Sequence, residues 1–194
     1  MTLKQLILKT VALTALTSSV RGQTLHFLNV ENSSLSENGI SFVIFDRLKN
    51  TRKVLKPKVV QCINSEIPSL NVADYVTAYM NKTLNMIIQE VKRGNPKPKK
   101  LFLSLATKKS VTTQTLALWL KSVLSQAGID TNQLSAHSYR GAGLSSAQAK
   151  GASIEKIVSY GDWKNAETFH SHYSAPCETS PVGKLILSHF NGSE

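Results

Sequence analysis

Cysteine, acidic side chains and long apolar runs are all scarce in this sequence. The chain has only two cysteines, Cys62 and Cys177, which are too few for a disulfide framework. Neither lies in a CxxC or zinc-knuckle pattern, so we expect free thiols and a reduced intracellular compartment. No apolar run approaches the length that a membrane-spanning helix needs, and no internal repeat indicates a repeat architecture.

Acidic residues number 12 against 23 lysines and arginines, which gives a formal net charge of +11. Charged residues make up only 18% of the chain and hydrophobic residues 41%, which excludes a disordered polyelectrolyte and predicts a folded core. An excess of positive charge on a folded domain indicates a polyanionic partner, either nucleic acid or an acidic membrane surface. At 194 residues the chain has room for one domain, with or without a small appendage.

The N-terminus superficially resembles a secretion signal. Lys4 would be its basic region, but Lys9 interrupts the apolar run and leaves only residues 11–16, which is shorter than usual. No small-residue cleavage site follows, so an opening helix is the better interpretation. The alternative, a secreted basic protein, predicts that residues 1–19 are removed on secretion.

The spacing of apolar residues predicts a mainly helical chain with a small sheet near its start. Two β-rich runs at residues 40–45 and 59–63 flank a basic turn and predict a hairpin, whereas residues 31–39 are polar. The longest helix is predicted over 72–91, with an apolar stripe that we assign to the core. Further helices are predicted near residues 3–18, 113–127, 138–150, 154–160 and 166–173. The expected fold class is mainly α with a small antiparallel β-sheet or hairpin (α+β).

His137 and Arg140 lie three residues apart at the start of a predicted helix and therefore share one face. Together with the helix N-terminus they can bind one anion. Alone, this His-x-x-Arg pattern is weak, because an exposed pair near a helix cap has the same spacing. It gains weight from its place in an ordered series: Arg21, Lys49 in the basic turn, His137, Arg140, Trp163 and Tyr173.

This series is similar to the active-site series of the phage-integrase-type tyrosine recombinases, which break and rejoin DNA. The surrounding sequence looks most like the eukaryotic transposon-borne branch, the Crypton-like and DIRS-like elements. The resemblance implies a tyrosine recombinase catalytic domain over residues 1–176 and a C-terminal tail over 177–194. It also leads us to expect that the N-terminal core-binding domain of such enzymes is absent.

The resemblance implies a role for each residue, and the chemistry of phosphodiester cleavage requires the same roles. Arg21 and Arg140 would clamp the scissile phosphate, because guanidinium groups match phosphate oxygens in bidentate geometry. Tyr173 would attack phosphorus and form a 3′-phosphotyrosyl bond. Lys49, one of several cations in the turn at residues 47–53, would protonate the departing 5′-oxygen.

Two further side chains complete the implied site. His137 would assist proton transfer at Tyr173, and Trp163 would donate its indole N–H to a phosphate oxygen or support the pocket. Several of these residues also have a purely structural interpretation. Arg21 would cap the end of its helix, Trp163 would belong to the core, and Tyr173 would pack on Phe169 one helical turn earlier.

The arginines supply the charge stabilisation that other nucleases take from metal ions, so we expect no cofactor. The spacing of His170, His172 and Cys177 permits a metal site, but no fourth ligand is evident. The implied partner is double-stranded DNA, with self-association of the chain on DNA during synapsis and no membrane. The expected location is the nucleus, or wherever the target DNA lies, and not the exterior of the cell.

Three functions therefore compete, besides the secreted basic protein considered above. The leading one is site-specific recombination or DNA integration through a covalent intermediate. A non-catalytic DNA-binding remnant of a domesticated or truncated transposon recombinase would have the same basic surface without the covalent chemistry. A type IB topoisomerase uses similar arginine, lysine and tyrosine groups, but generally has lysine where His137 stands in this chain.

Overall fold

The computed structural model of the chain describes residues 1–46, 57–163, 165–167 and 169. Over these residues the fold is mainly helical with a small antiparallel sheet, which confirms the predicted fold class. None of the helices in these ranges is both long and apolar enough to cross a bilayer. The elements are α1 (Leu3–Ser18), α2 (Gly22–His26), β1 (Ser33–Ser36), β2 (Gly39–Ile44), β3 (Lys58–Ile63), α3 (Val72–Lys92), α4 (Thr113–Gln126), α5 (Ser138–Ala149) and α6 (Ile154–Tyr160), with short 3-10 helices at Val30–Asn32 and Pro68–Leu70.

Helix α1 lies at the centre of the fold and packs against α3, α4 and α5. Thr2 caps its N-terminus in a reciprocal capping box with Gln5. Buried hydroxyl groups along α1, including Thr10 and Thr14, donate to the carbonyl four residues earlier, so the helix satisfies its own buried polar groups. The helix ends before Ser19, whose left-handed backbone (φ 49°) turns the chain toward α2.

The sheet has the strand order β1-β2-β3, and both strand pairs are antiparallel. Its inner face is apolar, because Phe42 and Ile44 on β2 and Val60 and Cys62 on β3 are buried. The pairing of β2 with β3 confirms the predicted hairpin. Strand β1 was not predicted, because its side chains are exposed or half-buried and backbone pairing with β2 holds it in place. Cys62 is a free thiol whose pKa is raised to about 11 by burial, as expected for a thiol that serves packing.

Helix α3 continues beyond the core that its N-terminal half helps to form. Its buried residues all lie at or before Thr83. The prediction that the whole apolar stripe belongs to the core is therefore wrong for Leu84, Ile88 and Val91, which are about half exposed. Apolar periodicity predicts that a helix has one apolar face, but it does not predict which part of the protein packs against that face.

The C-terminal helices α5 and α6 form a second, smaller core around Leu144, Ile157 and Phe169. Helix α5 approaches α1 closely at Gly143, where an added Cβ would lie 2.5 Å from the carbonyl oxygen of Leu16. A larger residue would therefore force the two helices apart. This close approach brings the first turn of α5 next to the C-terminal end of α1, where two predicted site segments meet.

Candidate functional site

Arg21 lies at the junction of α1 and α2, in the extended conformation that starts α2. Its side chain forms no capping hydrogen bond with α2, and the residue that caps the end of α1 is Ser19. Instead, Nη1 of Arg21 lies 3.5 Å from Oδ2 of Asp162, and its side chain is 26% exposed. The guanidinium is therefore directed toward the segment that contains Trp163 and is not used as a helix cap.

Arg140 is almost completely buried, with 3% of its surface exposed. Its guanidinium lies 4.3 Å from the centre of the Trp163 ring and donates a hydrogen bond to the carbonyl of Gly161. The Trp163 ring in turn packs against Phe169, at 5.3 Å between ring centres. A buried positive charge is costly unless partners hold it, so this aromatic and carbonyl support fixes the position of Arg140.

His137 occupies the N-cap position of α5 and is exposed. Partial burial of its imidazole lowers the pKa of His137 below its usual value of 6.5, and the positive charges of Arg140 and Arg21 lower it further. Both guanidinium groups therefore disfavour the protonated form of this imidazole. A lowered pKa favours the neutral form of the ring, which is the form that can accept a proton.

The structure thus brings together four of the residues singled out from the sequence: Arg21, His137, Arg140 and Trp163. Their catalytic roles stay predictions. The Trp163 ring packs against the second core and also lies against the Arg140 guanidinium.

Two residues at this cluster were not predicted from the sequence. Lys58, the first residue of β3, has Nζ 3.2 Å from the Asp162 oxygen that Arg21 also contacts. Lys58 is the last cation before the predicted strand at residues 59–63, and that position was the available signal. Asp162 stands inside the Gly-Asp-Trp sequence, with a left-handed backbone (φ 56°) that Asp tolerates better than most residues.

The remaining predicted site residues lie outside the described ranges. These are Lys49, in the predicted basic turn, and Tyr173, the predicted nucleophile, whose proposed packing on Phe169 is likewise outside them. His170, His172 and Cys177, the alternative metal ligands, lie there too. Within the described ranges, no group of three or more His, Cys, Asp or Glu side chains is arranged to hold a metal ion.

Three other tyrosines are engaged by backbone groups. Burial raises the pKa of Tyr79 and of Tyr139 to about 12. The Tyr79 hydroxyl accepts a hydrogen bond from the amide of Leu103 at 2.9 Å, and the Tyr139 hydroxyl donates to a carbonyl of α4 at 3.1 Å. The Tyr160 hydroxyl donates to the carbonyl of Thr17 at 2.9 Å, and burial raises the pKa of Tyr160 as well. Tyr173, which lies outside the described ranges, stays the predicted nucleophile.

Neither a protein-family model nor a curated protein sequence matches this chain. Solved structures of recombinases, in contrast, share its fold. XerA recombinase superposes with a TM-score of 0.64 at 15% identity, over 99% of this chain and 62% of its own. The complex of XerH recombinase with its difH substrate before cleavage gives 0.62 at 12% identity, over 100% of this chain and 49% of its own.

A λ integrase dimer bound to a COC′ core site gives a TM-score of 0.53 at 11% identity, over 92% of this chain and 57% of its own. The chain therefore spans roughly half to three fifths of the length of these structures. At such low identity the similarity concerns the fold. The chain is similar in fold to the catalytic domains of tyrosine recombinases.

Proposed function

We propose that the chain is the catalytic domain of a site-specific DNA recombinase that acts through a covalent 3′-phosphotyrosyl intermediate. The observation that carries the proposal is the convergence of Arg21, His137 and Arg140, from segments far apart in the sequence, beside Trp163. Two guanidinium groups directed toward the same segment form a concentration of positive charge that suits a phosphate. The similarity in fold to recombinases supports the same function.

The two arginines would stabilise the negative charge that develops on the non-bridging oxygens of the scissile phosphate. Arg140 is suited to this role because Trp163 and Gly161 fix its guanidinium before any substrate arrives. Arg21 is one quarter exposed and would contact the phosphate from the junction of α1 and α2. With this charge stabilisation the proposed reaction requires no metal ion.

Tyr173 would supply the nucleophile. Its phenolic oxygen forms a bond to phosphorus while the bond from phosphorus to the 5′-oxygen breaks. The phenolic proton passes to the imidazole of His137, whose lowered pKa favours the neutral form that can accept it. The departing 5′-oxygen receives a proton from a lysine, and attack by a 5′-hydroxyl on the phosphotyrosine reverses the steps and rejoins the strand.

The lysine that protonates the 5′-oxygen is proposed to be Lys49, which lies in the sequence between β2 and β3. Lys58 is the second candidate. Its Nζ approaches the same carboxylate oxygen as Arg21, so an anion in that place would contact both cations. Loss of cleavage in Lys49→Ala with retained cleavage in Lys58→Ala would assign the role to Lys49, and the reverse pattern would assign it to Lys58.

The partner of this domain is proposed to be double-stranded DNA, and the chain is proposed to self-associate on it. XerH is bound to a difH substrate, and λ integrase is bound to DNA as a dimer and, at a Holliday junction, as a tetramer. The formal charge of +11 supports binding to a polyanion. We further propose a eukaryotic transposon-borne origin, of the Crypton-like or DIRS-like kind, and action in the nucleus.

The test is to trap the intermediate on a nicked suicide duplex in the presence of EDTA and to compare two variants. Tyr173→Phe is expected to abolish the covalent adduct and leave DNA affinity nearly unchanged, because it removes one oxygen and keeps the ring. Arg140→Ala is expected to lose the adduct and also some affinity, because a phosphate ligand is gone. DNA binding without any adduct in the wild type would favour the non-catalytic DNA-binding remnant.

A further inference from the structure

The carboxylate of Asp162 lies between two cations of the proposed phosphate site. Its Oδ2 atom is 3.5 Å from Nη1 of Arg21 and 3.2 Å from Nζ of Lys58. Arg21 lies at the junction of α1 and α2 and Lys58 begins β3, so the two cations converge on this oxygen by tertiary folding and not by proximity in the sequence. The Asp162 side chain is 45% exposed, so a phosphate can reach it from solvent.

We propose that Asp162 is a built-in competitor for the DNA phosphate, holding Arg21 and Lys58 until a phosphate displaces it and thereby restraining DNA binding. The inference rests on the proposed function in taking DNA as the ligand. Its anion chemistry, however, applies to any phosphate that reaches the two cations. Asp162 neither touches the reacting atoms nor takes part in the proposed bond exchange.

Electrostatics explains why one carboxylate can have this effect. Phosphate and carboxylate oxygens are ligands of the same kind for guanidinium and ammonium groups, so both cannot occupy one position. A phosphate that enters must break two ion pairs and then lies near the displaced negative charge. Partly exposed ion pairs are individually weak, and the expected penalty on phosphate affinity is therefore about threefold to tenfold.

The backbone conformation determines which variants test this cleanly. Asp162 has φ 56°, a left-handed conformation that Asn and Gly adopt readily and that other side chains resist. Asp162→Asn therefore removes the charge while keeping the shape and the backbone preference. Asp162→Gly removes the side chain altogether with no backbone strain, so it serves as an independent second variant.

The chain also contains a matched control. Glu31 is a carboxylate shared by two cations, with Lys97 at 3.7 Å and Lys99 at 3.4 Å, and its side chain is 37% exposed. Glu31→Gln therefore changes net charge as Asp162→Asn does and frees two lysines as well. It differs in that neither of its partners is an arginine or lysine of the proposed site.

The experiment measures the affinity of the full chain for inorganic phosphate by NMR titration and for a short DNA duplex by fluorescence anisotropy. Asp162→Asn and Asp162→Gly are expected to bind both ligands about threefold to tenfold more tightly than the wild type. Glu31→Gln is expected to change neither affinity by as much. In a Lys58→Met background the gain from Asp162→Asn should shrink, because one of the two competing contacts has been removed.

Equal or weaker binding by both Asp162 variants would overturn the proposal, as would an equal gain in Glu31→Gln, which would reduce the effect to bulk charge. The outcomes also separate this inference from the proposed recombinase activity. Tighter phosphate binding by Asp162→Asn without any covalent DNA adduct would support the competitor role and count against the recombinase. A covalent adduct with unchanged phosphate and DNA affinities in both variants would support the recombinase and count against the competitor role.

Discussion

Gly161→Ala should damage the site through a single added methyl group. Gly161 has φ −74°, which alanine adopts freely, so the substitution introduces no backbone strain. The new Cβ would lie 2.5 Å from Cε3 of Trp163, well inside the 3.5–4.0 Å or so at which carbon atoms pack. The Trp163 ring would have to move away, and with it the surface on which the Arg140 guanidinium rests.

The expected cost follows from what the displaced ring contacts. Inserting a methyl group into a packed site costs about 1–3 kcal/mol. The ring's contact with Arg140 contributes about 1 kcal/mol and its contact with Phe169 a similar amount. We therefore expect the free energy of unfolding to fall by about 2 kcal/mol, which for a chain of this size lowers Tm by about 4–8 °C.

A double-mutant cycle with Trp163→Leu isolates the cause, with urea or thermal unfolding as the assay. Leucine has no atoms at the positions of the outer ring, so Gly161→Ala should cost well under the ~2 kcal/mol expected beside tryptophan. An equal cost in both backgrounds would refute the reasoning, because the methyl group would then act on something other than the Trp163 ring.

Three further outcomes are expected. Gly143→Ala should lower the free energy of unfolding by about 1–2 kcal/mol in chemical denaturation, because the clash with a carbonyl of α1 outweighs the better helix propensity of alanine. A stabilised variant would contradict the close approach of α5 to α1. Tyr79→Phe should cost about 1–3 kcal/mol in the same measurement, since the buried amide of Leu103 loses its acceptor; a neutral result would mean that the amide finds another partner. In an NMR titration the pKa of His137 should lie below its usual value of 6.5. Arg21→Gln should raise that pKa because one positive charge has been removed. An unchanged His137 pKa in this variant would show that Arg21 does not act on the imidazole.

The sequence predicted the fold well in those segments whose own residues determine their secondary structure. The capped, periodic segments became α1, α4 and α6 close to the predicted bounds, and the two β-rich runs paired as expected. Strand β1 escaped prediction because Ser33–Ser36 is mostly serine, and its strand conformation comes from the neighbouring β2. The C-terminal half of α3 was wrongly assigned to the core, because its apolar stripe at Leu84 and Ile88 continues past the core.

The site was predictable only as far as its residue types and order are distinctive. Arg21, His137, Arg140 and Trp163 were selected from spacing and resemblance, and the structure places them together. The ion pairs of Lys58 and Asp162 could not be predicted, because they depend on how β3 meets the segment after α6. The sequence around a lysine beside a strand, or around an aspartate in a turn, does not indicate such a contact.

The account rests most directly on the identity of the nucleophile. The decisive measurement is to trap the wild-type chain on a suicide duplex, digest the complex and locate the phosphotyrosyl peptide by mass spectrometry. The account predicts an adduct on Tyr173 that is absent from Tyr173→Phe. An adduct on Tyr160 or Tyr139, or one that persists in Tyr173→Phe, would contradict it.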